Sequence, residues 1–203
     1  RDIARTLLEQ GYEVLLVDTN RRNVYQSRMS GVPAVQGNIL ADRFLTETEL
    51  GGMRRFIALT PNNEVNSLAC LKCRERFGRN EVYQLIPEEA EEEWKDGAPA
   101  PDFGRYLFAP GVTYQTLDAQ FRQGAQVKKN RLTEEFDYQD FRSLYGEKAV
   151  PLFLIVDGEL TVITADNQPD FKSGHTLISL VPASDRPAAE QDERKRSASE
   201  AQI

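Results

Sequence analysis

Four short apolar runs, at residues 13–17, 32–35, 55–60 and 81–86, alternate with stretches at helical spacing. This alternation leaves few folds open. Ile3, Ala4, Leu7 and Leu8 recur at helical spacing before Gly11, where a left-handed residue ends a helix. The segment 21–30 is helix-compatible and stops at Gly31, and 40–50 carries Leu40, Phe44, Leu45 and Leu50 on one side. Pro61-Asn62-Asn63-Glu64 offers an asparagine cap to a helix over 65–77, which Gly78 closes. Near-continuous apolar strands joined through helices predict βαβ units and a parallel sheet covered on both faces. The first strand of such a sheet and its glycine-rich turn would fall upstream of Arg1, so the reading is an α/β Rossmann-like sheet lacking its first strand.

At residue 87 the character changes. PEEAEEEWKDGAPAPDFG is acidic, then rich in Pro and Ala, and reads as a linker over 87–104. Beyond it, 105–182 reads as a smaller α+β subdomain. Helices are expected near 113–121 and 136–145, with a strand at 125–132 between them. A hairpin is expected about Asp157-Gly158, and a last strand at 174–181. The tail 183–203 is polar and expected to be disordered.

Composition narrows function. A formal net charge of −7 over 203 residues repels phosphate backbones, which argues against a nucleic-acid surface. The longest apolar runs, such as PLFLIV, fall short of the ~20 residues of a membrane helix. Two cysteines and no signal-peptide pattern fit a reducing compartment. The chain starts without methionine, at residues that read as already inside a helix, and reads as a fragment of something longer.

In open parallel sheets ligands bind beyond the carboxyl ends of the strands. Asp18 follows the first visible strand, Gly37 and Asn38 the second, and Thr60 with Asn62 the third. An acid at the tip of the strand after the first helix suits the two hydroxyls of a ribose, and dinucleotide folds place it ~20 residues after the glycine-rich turn. The competing reading of Asp18 is an ordinary surface aspartate at a strand end.

The assembled pattern resembles the TrkA-type nucleotide-binding domain, the regulator of potassium conductance (RCK) family. GYEVLLVDTN, GVPAVQGNI and FIALTPNNEVNSLACLKCRE carry the likeness over residues 1–86. More weakly, PLFLIVDGELTVITADNQPDFKSGHTLISLV resembles the family's C-terminal subdomain. GRYLFAPGVTYQTLDAQFRQGAQVKKNRLTEEFDY is similar to the C-terminal region of bacterial monovalent cation:proton antiporters that carry such a domain. The resemblance implies that Asp18 holds an adenosine ribose, that Thr19 and Asn20 line the adenine side, and that Asn38 and Ile39 border the base. Thr60, with Asn62 beside it, would approach the phosphates or a second nucleoside. Asp18 would disfavour a 2′-phosphate, with Arg21 and Arg22 partly offsetting it, so the implied ligand is NAD(H) or AMP/ATP. Asn38 stands where the family usually has an acid, and His175 where an aspartate is common. The implied partners are a transmembrane transporter domain of the same longer chain and a second copy in a homodimer, at the cytoplasmic face of the bacterial inner membrane. The implied role is regulation of a sodium or potassium:proton antiporter, not catalysis. The alternatives are a fragment of an NAD-dependent oxidoreductase, a potassium-uptake regulatory subunit and a degenerate assembly module.

Other clusters read more plainly. Cys70 and Cys73 form a CxxC, but zinc needs four ligands and the chain has one histidine. Redox pairs gain thiolate character at helix N-termini, whereas these fall in mid-helix and read as structural. His175 has no nucleophile elbow to serve. The acids between 133 and 140, and the glutamates of 88–93, read as solvated carboxylates; the latter lack calcium-loop spacing. No catalytic or metal residue is assigned.

Overall fold

Gly11, in the left-handed region at φ +85°, ends helix α1 (Asp2–Glu9) and turns the chain into strand β1 (Leu16–Asp18). The computed structural model describes residues 1–88 and 103–183. Most of the expected linker and nearly all of the expected tail lie outside the described residues.

Asn20 caps helix α2 (Arg21–Met29), its side-chain oxygen accepting from the Arg22 amide, and strand β2 (Ala34–Gln36) returns parallel to β1 with Asp18 opposite Gln36. Strand β3 (Phe56–Ala58) leads to helix α4 (Asn63–Phe77), capped by Asn62 through the Val65 amide. Strands β4 (Val82–Leu85) and β5 (Arg105–Leu107) extend the series, both parallel. The strands form two sheets, β1-β2 and β3-β4-β5. In the doubly wound order 3-2-1-4-5-6 these are the two blocks on either side of the first strand. The fold is thus Rossmann-like, its parallel strands arranged among the described residues in the two blocks β1-β2 and β3-β4-β5.

One expectation is corrected. The helix expected over 40–50 shrinks to one turn, α3 (Phe44–Glu47). Lys72 Nζ takes the carbonyls of Leu40 and Ala41 at 2.8 and 2.7 Å, and the local backbone bonds close as i→i+3 turns, Ala41 to Asn38 and Phe44 to Ala41, rather than as an α-helical ladder. Residues 105–107 pair with β4 and continue the parallel sheet.

The rest is a four-stranded antiparallel sheet in the order β6-β9-β7-β8, built from β6 (Gln126–Arg131), β7 (Val150–Val156), β8 (Glu159–Val162) and β9 (Thr176–Val181). Asp157 and Gly158 both have positive φ, +51° and +84°, as the tight β7–β8 turn requires. Helices α5 (Tyr114–Arg122) and α6 (Tyr138–Tyr145) begin with capping boxes, Thr113 with Thr116 and Asp137 with Asp140.

The inner strands β7 and β9 are buried on both faces, which is why β7 reads as an unbroken apolar run, whereas the edge strand β8 alternates exposed and buried residues. Ile178 and Leu180 face a cluster with Leu117 of α5, whereas Leu177 and Val181 face Phe141 of α6. The first cluster also takes in Leu7, Tyr83, Leu85 and Leu107, so one core runs from the parallel strands into the antiparallel sheet. Polar contacts reinforce the seam: Tyr12 donates to the Gly158 carbonyl at 2.9 Å, and Arg105 donates to Thr164 Oγ1 at 2.9 Å and pairs with Asp166 at 3.6 Å.

Candidate nucleotide site

The polar residues cluster where parallel strands end. At the tip of β1, Asp18 Oδ1 accepts from the Asn20 amide and Oδ2 from Asn23 Nδ2, both at 2.7 Å. An ionised carboxylate has about four lone-pair directions, so each oxygen keeps capacity for another donor such as a ribose hydroxyl. The β2 tip is stitched alongside: Gly37 N–H donates to the Asp18 carbonyl and Gln36 Nε2 to that of Thr19. Thr19, Asn20, Arg21 and Asn38 therefore lie about one strand pair. Asp18 is half-buried, while Thr19, Asn20 and Arg21 are exposed.

Gly37 is demanded by close approach. A Cβ there would stand 2.1 Å from the Phe44 ring. Ile39 follows the same loop but packs against the cluster of Ala58, Cys70, Cys73 and Val82 beneath α4. Its side chain thus serves as an anchor for the loop.

At the tip of β3 a residue that sequence reasoning missed does most of the holding. Asn66, 1% exposed, accepts from the Thr60 amide (3.1 Å) and hydroxyl (2.7 Å), and donates to the Thr60 carbonyl (2.9 Å). The Thr60 hydroxyl also accepts from the Asn62 amide at 3.3 Å. Both Thr60 and Asn62 are thus engaged in shaping the strand-to-helix turn. The clue was present: Asn66 shares a helical face with Ala69, Cys70 and Cys73, and a polar residue on an apolar face needs a partner. Lys72, the other missed residue, holds a loop 31 residues away in sequence, a pairing with no local signature.

The two helix N-termini near these tips differ in charge. α2 opens with Arg21 and Arg22 and no acid, whereas α4 carries Glu64 in its first turn. An anionic group is therefore better received at the α2 end.

Cys70 and Cys73 are fully buried, and Cys70 Sγ donates to the Tyr83 carbonyl at 3.4 Å. Burial pushes both thiols up to about 12; the neighbouring Cys73 adds to the shift at Cys70, and Lys72 opposes it at Cys73. Neutral thiols are favoured by the folded state, so stability is held below the ordinary thiol value and falls as pH climbs from about 9 towards 12. Accordingly, a disulfide-exchange reagent at pH 8 should leave both thiols unmodified in the folded chain and titrate two in denaturant. Rapid native labelling would contradict this.

His175 sits just before β9, its Nδ1 accepting from the Lys172 amide at 3.3 Å. A depression of about 420 Å³ lined by Asp137, Tyr138, Gln139, Pro169, Asp170 and Phe171 is built wholly from the antiparallel part. Among the described residues no group of three or more His, Cys, Asp or Glu side chains is placed to hold a metal ion, and no helix is long and apolar enough to cross a membrane.

A comparison with curated proteins returns no match. Among solved structures, the chain is similar to the NAD(P)-binding domain of an exopolyphosphatase-related protein from Archaeoglobus fulgidus, at 16% identity and a TM-score of 0.43, covering 60% of this chain and 85% of that one. It is similar to the GsuK channel bound to NAD, at 14% identity and a TM-score of 0.43, covering 89% of this chain and 35% of that one. The GsuK RCK domain matches at 12% identity and a TM-score of 0.30, covering 90% and 45%. The chain thus spans about a third of the channel it matches. The TrkA-N domain model matches residues 1–95, a little under half of the chain, so this part is similar to the TrkA-N domain family.

Proposed function

We propose that this chain is a regulatory module that senses an adenine nucleotide, NAD(H) or AMP/ATP, and controls monovalent cation transport, most specifically in a sodium or potassium:proton antiporter. The carrying observation is the pairing of Asp18 with the β2 tip inside the TrkA-N match: a carboxylate with spare acceptor capacity beside an acid-free helix N-terminus. In this reading Asp18 takes the ribose, and Thr19, Asn20, Arg21 and Asn38 line the adenine side. Ile39 supports the loop from beneath, and Thr60 and Asn62 border the far end. The chain divides into a nucleotide-binding part completed by β5 and an antiparallel regulatory part from α5 onward. Its partner is a transmembrane transporter domain at the cytoplasmic face of the bacterial inner membrane, and two copies assemble. Nucleotide shifts the gate only by binding one arrangement better than the other, since equal affinities shift nothing. The role is regulatory, not enzymatic.

Calorimetric titration of NAD⁺, NADH, AMP and ATP into the chain and its Asp18→Ala variant tests this. Saturable binding that weakens tenfold or more in the variant is the expected result. Asp18→Asn, which keeps an acceptor for the Asn20 amide, separates the ribose role from support of α2. Absence of binding to all four, or equal affinity in Asp18→Ala, would move the assembly-module reading to the front; steady turnover of NAD(H) with a small substrate would favour an oxidoreductase.

A further inference from the structure

The turn after β2 fixes which end of one carboxamide a base would meet. Asn38, exposed at the β2 tip, accepts from the Leu40 amide through Oδ1 at 2.9 Å, while its backbone carbonyl accepts from the Ala41 amide at 2.9 Å. The same turn is held by Lys72 Nζ on the Leu40 and Ala41 carbonyls and by Ile39, packed into the cluster beneath α4. Rotating the carboxamide by half a turn would set its NH2 against the Leu40 N–H, donor against donor, and leave that amide without its acceptor. Oδ1 therefore stays with the turn, and Nδ2, which donates to nothing among the described residues, is the group left for a ligand. Asn20 is arranged alike at the β1 tip, its Oδ1 taken by the Arg22 amide.

We propose that Asn38 is a specificity-determining residue that meets the base with a donor, so that the site takes 6-oxopurine nucleotides, those of hypoxanthine and guanine, at least as tightly as adenine nucleotides. The proposal rests on the nucleotide reading above, in which Asn38 lines the base. On the edge that carries the 6-substituent, a 6-oxopurine presents O6 and N7 as acceptors, whereas adenine presents an amino group beside N7. Nδ2 donates to O6; facing the amino group it meets a second donor, and both are left unpaired. An aspartate at this position would keep the Leu40 bond with one oxygen and turn the other, an acceptor, to the base. The preference would then reverse.

Matched adenine and hypoxanthine nucleotides test this: AMP and IMP, ATP and ITP, NAD⁺ and nicotinamide hypoxanthine dinucleotide, each titrated calorimetrically into the parent, Asn38→Asp and Asn38→Ala. The members of a pair share ribose and phosphate. The quantity read is the ratio of the hypoxanthine Kd to the adenine Kd, in which an added charge or a loosened turn cancels because it acts on both members. The parent should bind the hypoxanthine member at least as tightly as the adenine one. Asn38→Asp should raise the ratio about tenfold, and Asn38→Ala, which removes the donor, should raise it by a smaller factor. Should Asn38→Asp fail to fold, Asn38→Ala decides. A parent that prefers the adenine member, as an acceptor elsewhere such as Gln36 Oε1 would produce, overturns the proposal, and so does a ratio that does not move in a folded variant. Either result leaves nucleotide sensing standing. A parent that binds none of the six overturns that reading, and this proposal with it.

Discussion

Replacing Phe153 by alanine is expected to lower the unfolding free energy by about 3–5 kcal/mol. The ring is fully buried on β7, between Ile178 of β9 and Val162 of β8, and meets Phe108 edge-on at 5.8 Å between centroids. Two features raise the cost. The strand is pinned by hydrogen-bonded neighbours on both sides, so the backbone cannot move in to fill the space. The core it occupies also contains Tyr83, Leu85 and Leu107 of the parallel strands, so the void weakens the seam between the two sheets as well as the antiparallel sheet. Urea unfolding followed by circular dichroism should show one transition moving to lower denaturant, and a melting temperature lower by roughly 10 °C. Phe153→Leu should lose less than about half as much, because most of the volume is kept. Two separated transitions in the parent would contradict a shared core.

Asn66→Ala carries the second large effect, a loss of about 2 kcal/mol. Its side chain satisfies the amide, hydroxyl and carbonyl of Thr60 together. Thr60 itself is exposed, so water can replace part of what is lost, which keeps the cost below that of the core aromatic. The local signature is sharper than the global one: amide exchange at Thr60 should accelerate by at least tenfold while β7 and β9 stay protected. Asn66→Leu, which fills the space without a hydrogen-bonding group, should restore packing but leave the Thr60 amide fast. Unchanged exchange at Thr60 in both variants would show that the β3 tip is held by other means.

The same two sites show what could be read from the chain. β7 was legible because seven consecutive residues, VPLFLIV, are buried or half-buried on both faces, and a sheet covered on both sides writes itself as an unbroken apolar run. Asp18 stood out because a carboxylate ends an apolar strand. The asparagine cap offered at 61–64 declared the start of α4, and Asn62 closes it through the Val65 amide three residues on. The helix expected over 40–50 failed because its carbonyls were claimed by Lys72, whose position beside them depends on how α4 lies against the β2 loop. The packing of Ile39 against the cluster beneath α4 was not legible for a related reason: it depends on how α4 lies against the loop.

Local chemistry thus determined what is written within a few residues: the order of strands and helices, the caps, the Asp157-Gly158 turn, the polar strand tips and the TrkA-N pattern. Each depends on side-chain periodicity or on hydrogen bonds that close within a turn, so neighbours in sequence suffice. Only the tertiary structure decided that β5 completes the parallel sheet, that one core joins both sheets through Tyr83, Leu107 and Ile178, and that Asn66 and Lys72 hold the loops at the strand tips. These depend on contacts between segments brought together by burial of apolar surface, a force without direction that leaves no local mark of which partner it will choose.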